Sequence, residues 1–135
     1  MKGIYHALLL AVAAAILLQL VSVEAAVTDS DCGHGNKTHH YFYGSKSYLD
    51  RLLYQDHIKY KSKWMRVISI DADYPGSGKT PLGKINYIEV LDQRSDGTGG
   101  CVYIRNGGVG QNSVTFHIKS QRNHGMEFLI NIYGH

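Results

Sequence analysis

The stretch Asp96–Gly134 reads DGTGGCVYIRNGGVGQNSVTFHIKSQRNHGMEFLINIYG and contains three apolar runs separated by glycine-rich or polar turns. Within it, Val114, Phe116 and Ile118 alternate with polar residues, and the last run repeats the pattern. Alternation with a period of two is typical of β-strands that bury one face. Asn106-Gly107 between two such runs predicts a β-hairpin.

Further strands are expected upstream of this stretch. Aromatic β-formers gather at residues 39–43, and two more β-runs follow at Trp64–Asp71 and Gly83–Asp92. Gly83–Asp92 carries apolar groups on both faces, which favours a central position in a sheet. Leucines at 49, 52 and 53 have helical spacing, so a short helix near residues 47–54 is allowed. The sequence predicts an all-β fold, an antiparallel β-sandwich or small barrel of about six or seven short strands.

The first 25 residues have the pattern of a signal peptide. Ala7–Leu20 is almost entirely apolar, and small residues precede a cleavage point after Ala25. We expect a secreted, extracellular protein with an irregular arm at 26–38 and a single β-rich domain at 39–135. A retained anchor is the alternative, because the apolar run approaches the length that spans a bilayer core of about 30 Å.

The secretory route gives the two cysteines and one asparagine a chemical context. Cys32 and Cys101 are expected to form a disulfide in an oxidising compartment. Closing so long a loop stabilises a fold by roughly 4 kcal/mol in the chain-entropy model. Two independent thiols, or a bridge to another chain, are the alternatives. Asn36, in Asn-Lys-Thr, becomes an acceptor for N-glycosylation.

Basic residues suggest an anionic or protein partner, although the net charge of +3 does not by itself require a polyanion. The alternation of lysines after residue 58 predicts a basic ridge on one strand face, and a second anion-binding corner is expected near residue 120. The candidates are Lys59, Lys61, Lys63, His117, Lys119, Arg122 and His124. Charged edges that prevent sheets from pairing, and a solvated hairpin end, are the structural alternatives.

Catalytic and cofactor chemistry find little support. His34, His39 and His40 are weak metal candidates, because their spacing matches no standard zinc site. Gly76–Thr80 imitates the end of a phosphate-binding loop but lacks its first glycine and a following helix. No Gly-x-Ser-x-Gly elbow is present. We therefore expect no catalytic residues, no enzyme activity and no cofactor.

Several spaced blocks of the chain carry a family resemblance. They are Asp50-Arg51-Leu52-Leu53-Tyr54, Asp92-Gln93, Asp96-Gly97-Thr98-Gly99-Gly100, Gly107-Gly108-Val109-Gly110, Lys119-Ser120-Gln121-Arg122, His124-Gly125 and Ile132-Tyr133-Gly134. Together the blocks resemble the insect family named after multiprotein bridging factor two. That family includes probable salivary secreted peptides and midgut proteins induced by pathogens.

The resemblance implies two kinds of function. The founding description is of a transcriptional coactivator that bridges a DNA-bound activator to general transcription factors, whereas many relatives are secreted. The leader favours a secreted, non-enzymatic protein that acts through a binding surface, in gut, salivary or haemolymph defence or stress response. The coactivator and a small-ligand carrier are the alternatives. We expect no direct DNA binding and no membrane span after removal of the signal.

Overall fold

The computed structural model describes residues 39–135. The predicted signal peptide at 1–25 and the arm at 26–38, with Cys32, His34 and Asn36, lie outside the described residues. Within residues 39–135 the chain forms seven strands and no helix, and so nothing with the length and apolarity of a membrane-spanning helix. The strands are β1 (Tyr41–Gly44), β2 (Arg51–Tyr60), β3 (Ser69–Tyr74), β4 (Ile85–Asp92), β5 (Cys101–Gly107), β6 (Val114–Lys119) and β7 (Met126–Gly134).

The strands form two antiparallel sheets. The larger sheet has the order β1-β4-β7-β2, and the smaller has the order β3-β6-β5. Inward side chains of both sheets join in one hydrophobic cluster, which makes the fold a β-sandwich. The prediction of an all-β antiparallel fold is confirmed.

The centre of the core comes from the inner strands β4, β6 and β7. Their most deeply buried side chains, each at most 1% exposed, are Ile85, Ile88, Val90, Val114, Phe116, Ile118, Met126, Phe128, Ile130 and Ile132. Burying one such side chain contributes about 1.5–3 kcal/mol before entropy is counted. β4 lies between β1 and β7, which confirms its predicted central position.

The helix allowed near residues 47–54 is wrong. Asp50 N–H donates to the Ser47 carbonyl at 3.1 Å to close a turn, and β2 begins at Arg51 and pairs with β7. A bulge between Leu52 and Tyr54 shifts the register, so Leu53 turns into the core while Leu52 stays exposed. The helical leucine spacing therefore combines Leu49, in the turn before β2, with Leu52 and Leu53 at the bulge.

The run Trp64–Asp71 is extended over a shorter length than predicted. β3 begins at Ser69, because Arg66 N–H donates to the Lys63 carbonyl at 3.1 Å and turns the chain around Trp64 and Met65. The predicted hairpin of β5 and β6 is confirmed, but its turn lies at residues 108–113, because Asn106 and Gly107 still pair with Thr115 and Val114.

Gly134, at the end of β7, gives a direct test of the packing. A Cβ there would overlap the Lys84 carbonyl oxygen and lie 3.0 Å from Leu53 Cδ1. The atom that this Cβ would overlap belongs to the backbone and cannot rotate away. Gly134→Ala should therefore lower the free energy of unfolding by about 2–3 kcal/mol. Urea denaturation measures the change.

The matched control is Gly76→Ala. A Cβ at Gly76 would have Lys79 Cδ, 3.9 Å away, as its nearest neighbour, and Gly76 has no positive φ. This variant should keep the wild-type unfolding free energy or gain a few tenths of a kcal/mol. Equal stability of both variants would contradict the described end of β7.

Candidate functional site

The three lysines predicted to form one ridge do not share a strand face. Lys59 lies on the outer face of β2, and its Nζ is 3.1 Å from Glu127 Oε2. His57 Nε2 lies 2.9 Å from the other oxygen of Glu127. The hydrogen bond from Lys59, and then that from His57, hold the pKa of Glu127 below its ordinary value. The charge of Lys59 is therefore largely compensated within the sheet.

Lys61 and Lys63 lie beyond the end of β2, in the connection to β3. We call residues 61–68 the tryptophan loop. Its sequence is KSKWMRVI, and no acidic residue occurs between Asp56 and Asp71. The predicted ridge on one strand face is therefore wrong for Lys61 and Lys63. They lie beyond the end of β2, in a connection whose turn joins Lys63 to Arg66.

The tip of the tryptophan loop is held in one conformation by the segment before β7. Met65 has φ 58°, a left-handed backbone that non-glycine residues adopt at a cost. Its N–H donates to Asn123 Oδ1, and its carbonyl accepts from the Arg122 guanidinium at 2.8 Å. Asn123 N–H donates to the Arg66 carbonyl at 3.1 Å.

The base of the tryptophan loop is joined to the same segment. Ile68 N–H donates to Ser120 Oγ at 2.8 Å, and Ser120 N–H donates to the Ile68 carbonyl at 2.8 Å. Ser120 is only 1% exposed, so the segment 120–125 begins with a buried residue. A Cβ at Gly125 would lie 3.0 Å from Ser62 N, which shows how closely the two segments approach.

The side chains at the tip point into solvent. Trp64 is 87% exposed and Met65 is 52% exposed, although both are large and apolar. Arg122 and the loop cations Lys61, Lys63 and Arg66 supply positive charge around them. Trp64 is thus an exposed aromatic side chain surrounded by basic residues. The backbone of its loop is hydrogen-bonded to the segment 120–125.

His117 does not belong to the predicted anion-binding corner. It is only 8% exposed, on the outer face of the smaller sheet, opposite Asp71 in β3 and Tyr103 in β5. Its Nδ1 lies 2.6 Å from Asp71 Oδ1 and its Nε2 lies 3.2 Å from Ser69 Oγ. Both ring nitrogens are therefore engaged inside the sheet.

The other members of that corner are also separated. Lys119 is opposite Ser69 and Cys101 in the register of the smaller sheet. Arg122 supports the tryptophan loop, and His124, partly buried, closes a turn through a hydrogen bond from its N–H to the Gln121 carbonyl at 3.1 Å. Arg122 is thus the member that joins the basic surrounding of Trp64.

The contacts of His117 have the order of a serine–histidine–aspartate relay, which sequence spacing did not indicate. Acyl transfer also needs a substrate pocket and donors for the oxyanion. Ser69 lies on an open sheet face and lines neither of the two grooves described below. The observed contacts join β3 to β6.

The histidines considered as metal ligands have other contacts. His39 Nδ1 lies 2.9 Å from the Gly100 carbonyl oxygen, and its N–H donates to Asp92 Oδ2 at 3.0 Å. His40 Nδ1 accepts from Asp92 N–H at 3.1 Å. Across residues 39–135 no three histidine, cysteine or acidic side chains are arranged to hold a metal ion.

Cys101 is buried at the start of β5. Its expected partner Cys32 lies outside the described residues, as does Asn36, so the bridge and the glycosylation stay predictions.

The segment Gly76–Thr80, which imitates the end of a phosphate-binding loop, forms a turn. Lys79 N–H donates to the Gly76 carbonyl at 3.0 Å to close it. Strand β4, and no helix, follows it.

Sequence reasoning missed two grooves on the open side of the sandwich, where the edge strands β2 and β3 face each other. The first has a volume of about 380 Å³ and lies over Ile58, Ile70 and Phe116. The second, of about 250 Å³, reaches Lys79 and Leu82. One residue of the sequence could have indicated the first groove. Asp56 is acidic, although the residues two positions before and after it in β2, Tyr54 and Ile58, face inward.

The Asp71–His117 contact predicts a dependence of stability on pH. The hydrogen bond from His117, and then the charge of Arg105, lower the pKa of Asp71 from its ordinary value of 3.8. A lowered folded-state pKa gives stability that is present above the unfolded-state pKa and lost as pH falls through the folded-state pKa. Asp71→Asn should therefore be less stable than the wild type at pH 7, and the difference should shrink below about pH 4.

Urea denaturation at pH 7, 5 and 3 measures this difference. Asp73→Asn is the matched control, because Asp73 is on the same face of β3 and accepts from the Thr115 hydroxyl at 2.8 Å. A pH-independent difference for Asp71→Asn would show that its carboxylate does not stabilise β3 as an anion.

Two comparisons place the chain among known proteins. The family described as transcription activator MBF2 matches residues 43–134, from β1 to the end of β7. The chain is also similar to a probable salivary secreted peptide of Bombus ignitus, with 32% identity over 122 residues, 90% of this chain and 89% of that protein. No solved structure matches the chain. Since the family match covers residues 43–134, well over half of the chain, the chain belongs to the MBF2 family.

Proposed function

We propose that this protein is secreted and acts without catalysis, by binding anionic phospholipid surfaces through the tryptophan loop. The signal-peptide pattern of residues 1–25 and the similarity to a protein named as a secreted peptide support secretion. The observation that carries the binding proposal is Trp64, which is 87% exposed at the tip of a basic connection.

The chemistry of the tip suits the interface between lipid and water. Tryptophan has an apolar ring and an N–H donor, and it is favoured at the level of lipid headgroups. Met65 and Val67, both exposed, add apolar surface beside it. Each lysine or arginine near an anionic bilayer contributes about 1 kcal/mol of attraction.

The conformation of the tip supports the same proposal. Left-handed backbone at a non-glycine residue persists where surrounding contacts hold it, and such positions cluster at functional sites. At Met65 those contacts come from Arg122 and Asn123. Because the loop is already ordered in the free protein, binding orders little additional chain.

The biological setting is part of the proposal. Saliva, gut fluid and haemolymph bring a secreted protein into contact with microbial membranes, whose surfaces are anionic. A role in defence or stress response follows if those membranes are the target. The tryptophan loop lacks acidic residues that would oppose such binding.

A transcriptional coactivator is the second candidate, and the description of the matching family favours it. It requires a form of the chain that avoids the secretory pathway. A tagged full-length chain expressed in insect cells separates the candidates: accumulation in the medium supports the secreted protein, and nuclear accumulation supports the coactivator.

The lysines of the tryptophan loop should control vesicle binding. We expect the wild-type protein, secreted from insect cells, to bind phosphatidylcholine vesicles containing phosphatidylserine. Removing two charges in Lys61→Ala/Lys63→Ala should weaken binding about 30-fold, from about 1 kcal/mol per lysine. Trp64 is the single tryptophan, so a blue shift of its fluorescence reports the contact directly.

Lys59→Ala is the matched control, because Lys59 is paired with Glu127 outside the loop. It should weaken vesicle binding less than the substitution of Lys61 or Lys63 does. Binding that is equal on neutral and anionic vesicles, or equally weakened by Lys59→Ala, would overturn the proposal. Trp64→Ala should weaken binding while leaving the urea midpoint unchanged.

A further inference from the structure

The first groove has an apolar floor and aromatic walls. Phe116 and Ile130, each 1% exposed, lie at its base with Ile58. Tyr54 and Tyr74 stand on opposite edge strands, with ring centroids 5.1 Å apart. The volume of about 380 Å³ lies within the range of small-molecule sites, about 300–1,000 Å³.

Asp56 places one carboxylate among these apolar groups. In the register it lies opposite Ile130 of β7, and the alternating positions Tyr54 and Ile58 on either side line the same groove. Burial, and then the charge of Asp56, raise the pKa of Tyr54.

The Asp56 carboxylate has no cationic partner within residues 39–135. The ion pairs in this range engage Asp50, Asp71, Asp96 and Glu127. The basic side chains nearest in sequence, those of His57 and Lys59, are engaged by Glu127. A partly buried carboxylate bordered by apolar and aromatic side chains attracts a cation more strongly than one in open water.

His57 and Lys59 also border the groove, but Glu127 pairs with both of them. Asp71 and Asp73 border it from β3, and their polar contacts are to His117, Arg105 and Thr115 on the outer face of the smaller sheet. Two further carboxylates at the rim make the approach to Asp56 negative. The tyrosine rings add surfaces over which an organic ammonium group is stabilised.

We propose that this groove binds a small organic monocation, an ammonium group attached to an apolar or aromatic body of about a dozen non-hydrogen atoms. The ammonium group contacts Asp56 and the Tyr54 ring. The apolar body lies over Ile58, Ile70 and Phe116, between the two edge strands. This site is separate from the tryptophan loop and does not depend on lipid binding.

Tryptamine and tryptophol are suitable probes, because they share an indole body and differ in an ammonium or a hydroxyl group. Isothermal titration of the secreted wild-type protein should show tryptamine binding at least about 10-fold tighter than tryptophol, as expected when a charge-assisted contact is added. Backbone NMR shifts should locate the bound probe at Ile58, Ile70 and Ala72.

Asp56→Asn tests the role of the carboxylate. It should remove the preference for tryptamine, whereas Asp96→Asn, the same charge change outside the groove lining, should retain it. If Asp56→Asn fails to fold, Ala72→Leu is the second variant, because a larger side chain there fills the groove and should abolish binding of both probes.

Three outcomes would overturn the proposal. They are equal affinity for the two probes, a preference that survives in Asp56→Asn, and the absence of saturable binding up to millimolar concentration. The variant Trp64→Ala should bind tryptamine as the wild type does. Failure of lipid binding is therefore distinguishable from failure of this site.

Discussion

The pairing of β7 with a strand on each side is the constraint on which the other features depend. Met126–Gly134 pairs with β2 along one edge and with β4 along the other. Its inward residues Phe128, Ile130 and Ile132 are at most 1% exposed. Burial therefore fixes which face of β7 points inward, and this in turn fixes the register of both neighbours.

This pairing also positions the tryptophan loop. The last pair of β2 with β7 is Tyr60 with Met126, so the tryptophan loop leaves the sheet where the segment 120–125 enters it. Gly125 allows the two backbones to pack closely, and Asn123 then reaches the Met65 amide. The candidate binding surface is thus a consequence of where the ladder ends.

Alternation identified the fold because burial on one face leaves a regular trace in the sequence. Phe128, Ile130 and Ile132 could be assigned to one face without coordinates, and so could Val114, Phe116 and Ile118. The trace fails where the backbone departs from a period of two. The bulge at Leu53 imitated a helix, and the turn at Trp64 interrupted an apparently extended run.

The candidate site was less predictable than the fold, because it depends on contacts between distant residues. Lys59 and Lys63 look equivalent in the sequence, yet one is paired with Glu127 and the other lies in the tryptophan loop. His117 is polar by pattern but is covered by Asp71 and Ser69 from the neighbouring strand. Asp56 gave a local signal, an acid at an inward position, whereas the groove that surrounds it required both edge strands.

Amide hydrogen exchange at Met65 in the free, secreted protein tests most directly whether the sandwich holds the tryptophan loop ready to present Trp64. Slow exchange is expected without any lipid, because the Met65 N–H donates to Asn123 Oδ1. Asn123→Ala should remove this protection while the β7 amides stay protected. Exchange at Met65 as fast as in an unstructured chain would contradict a preformed loop.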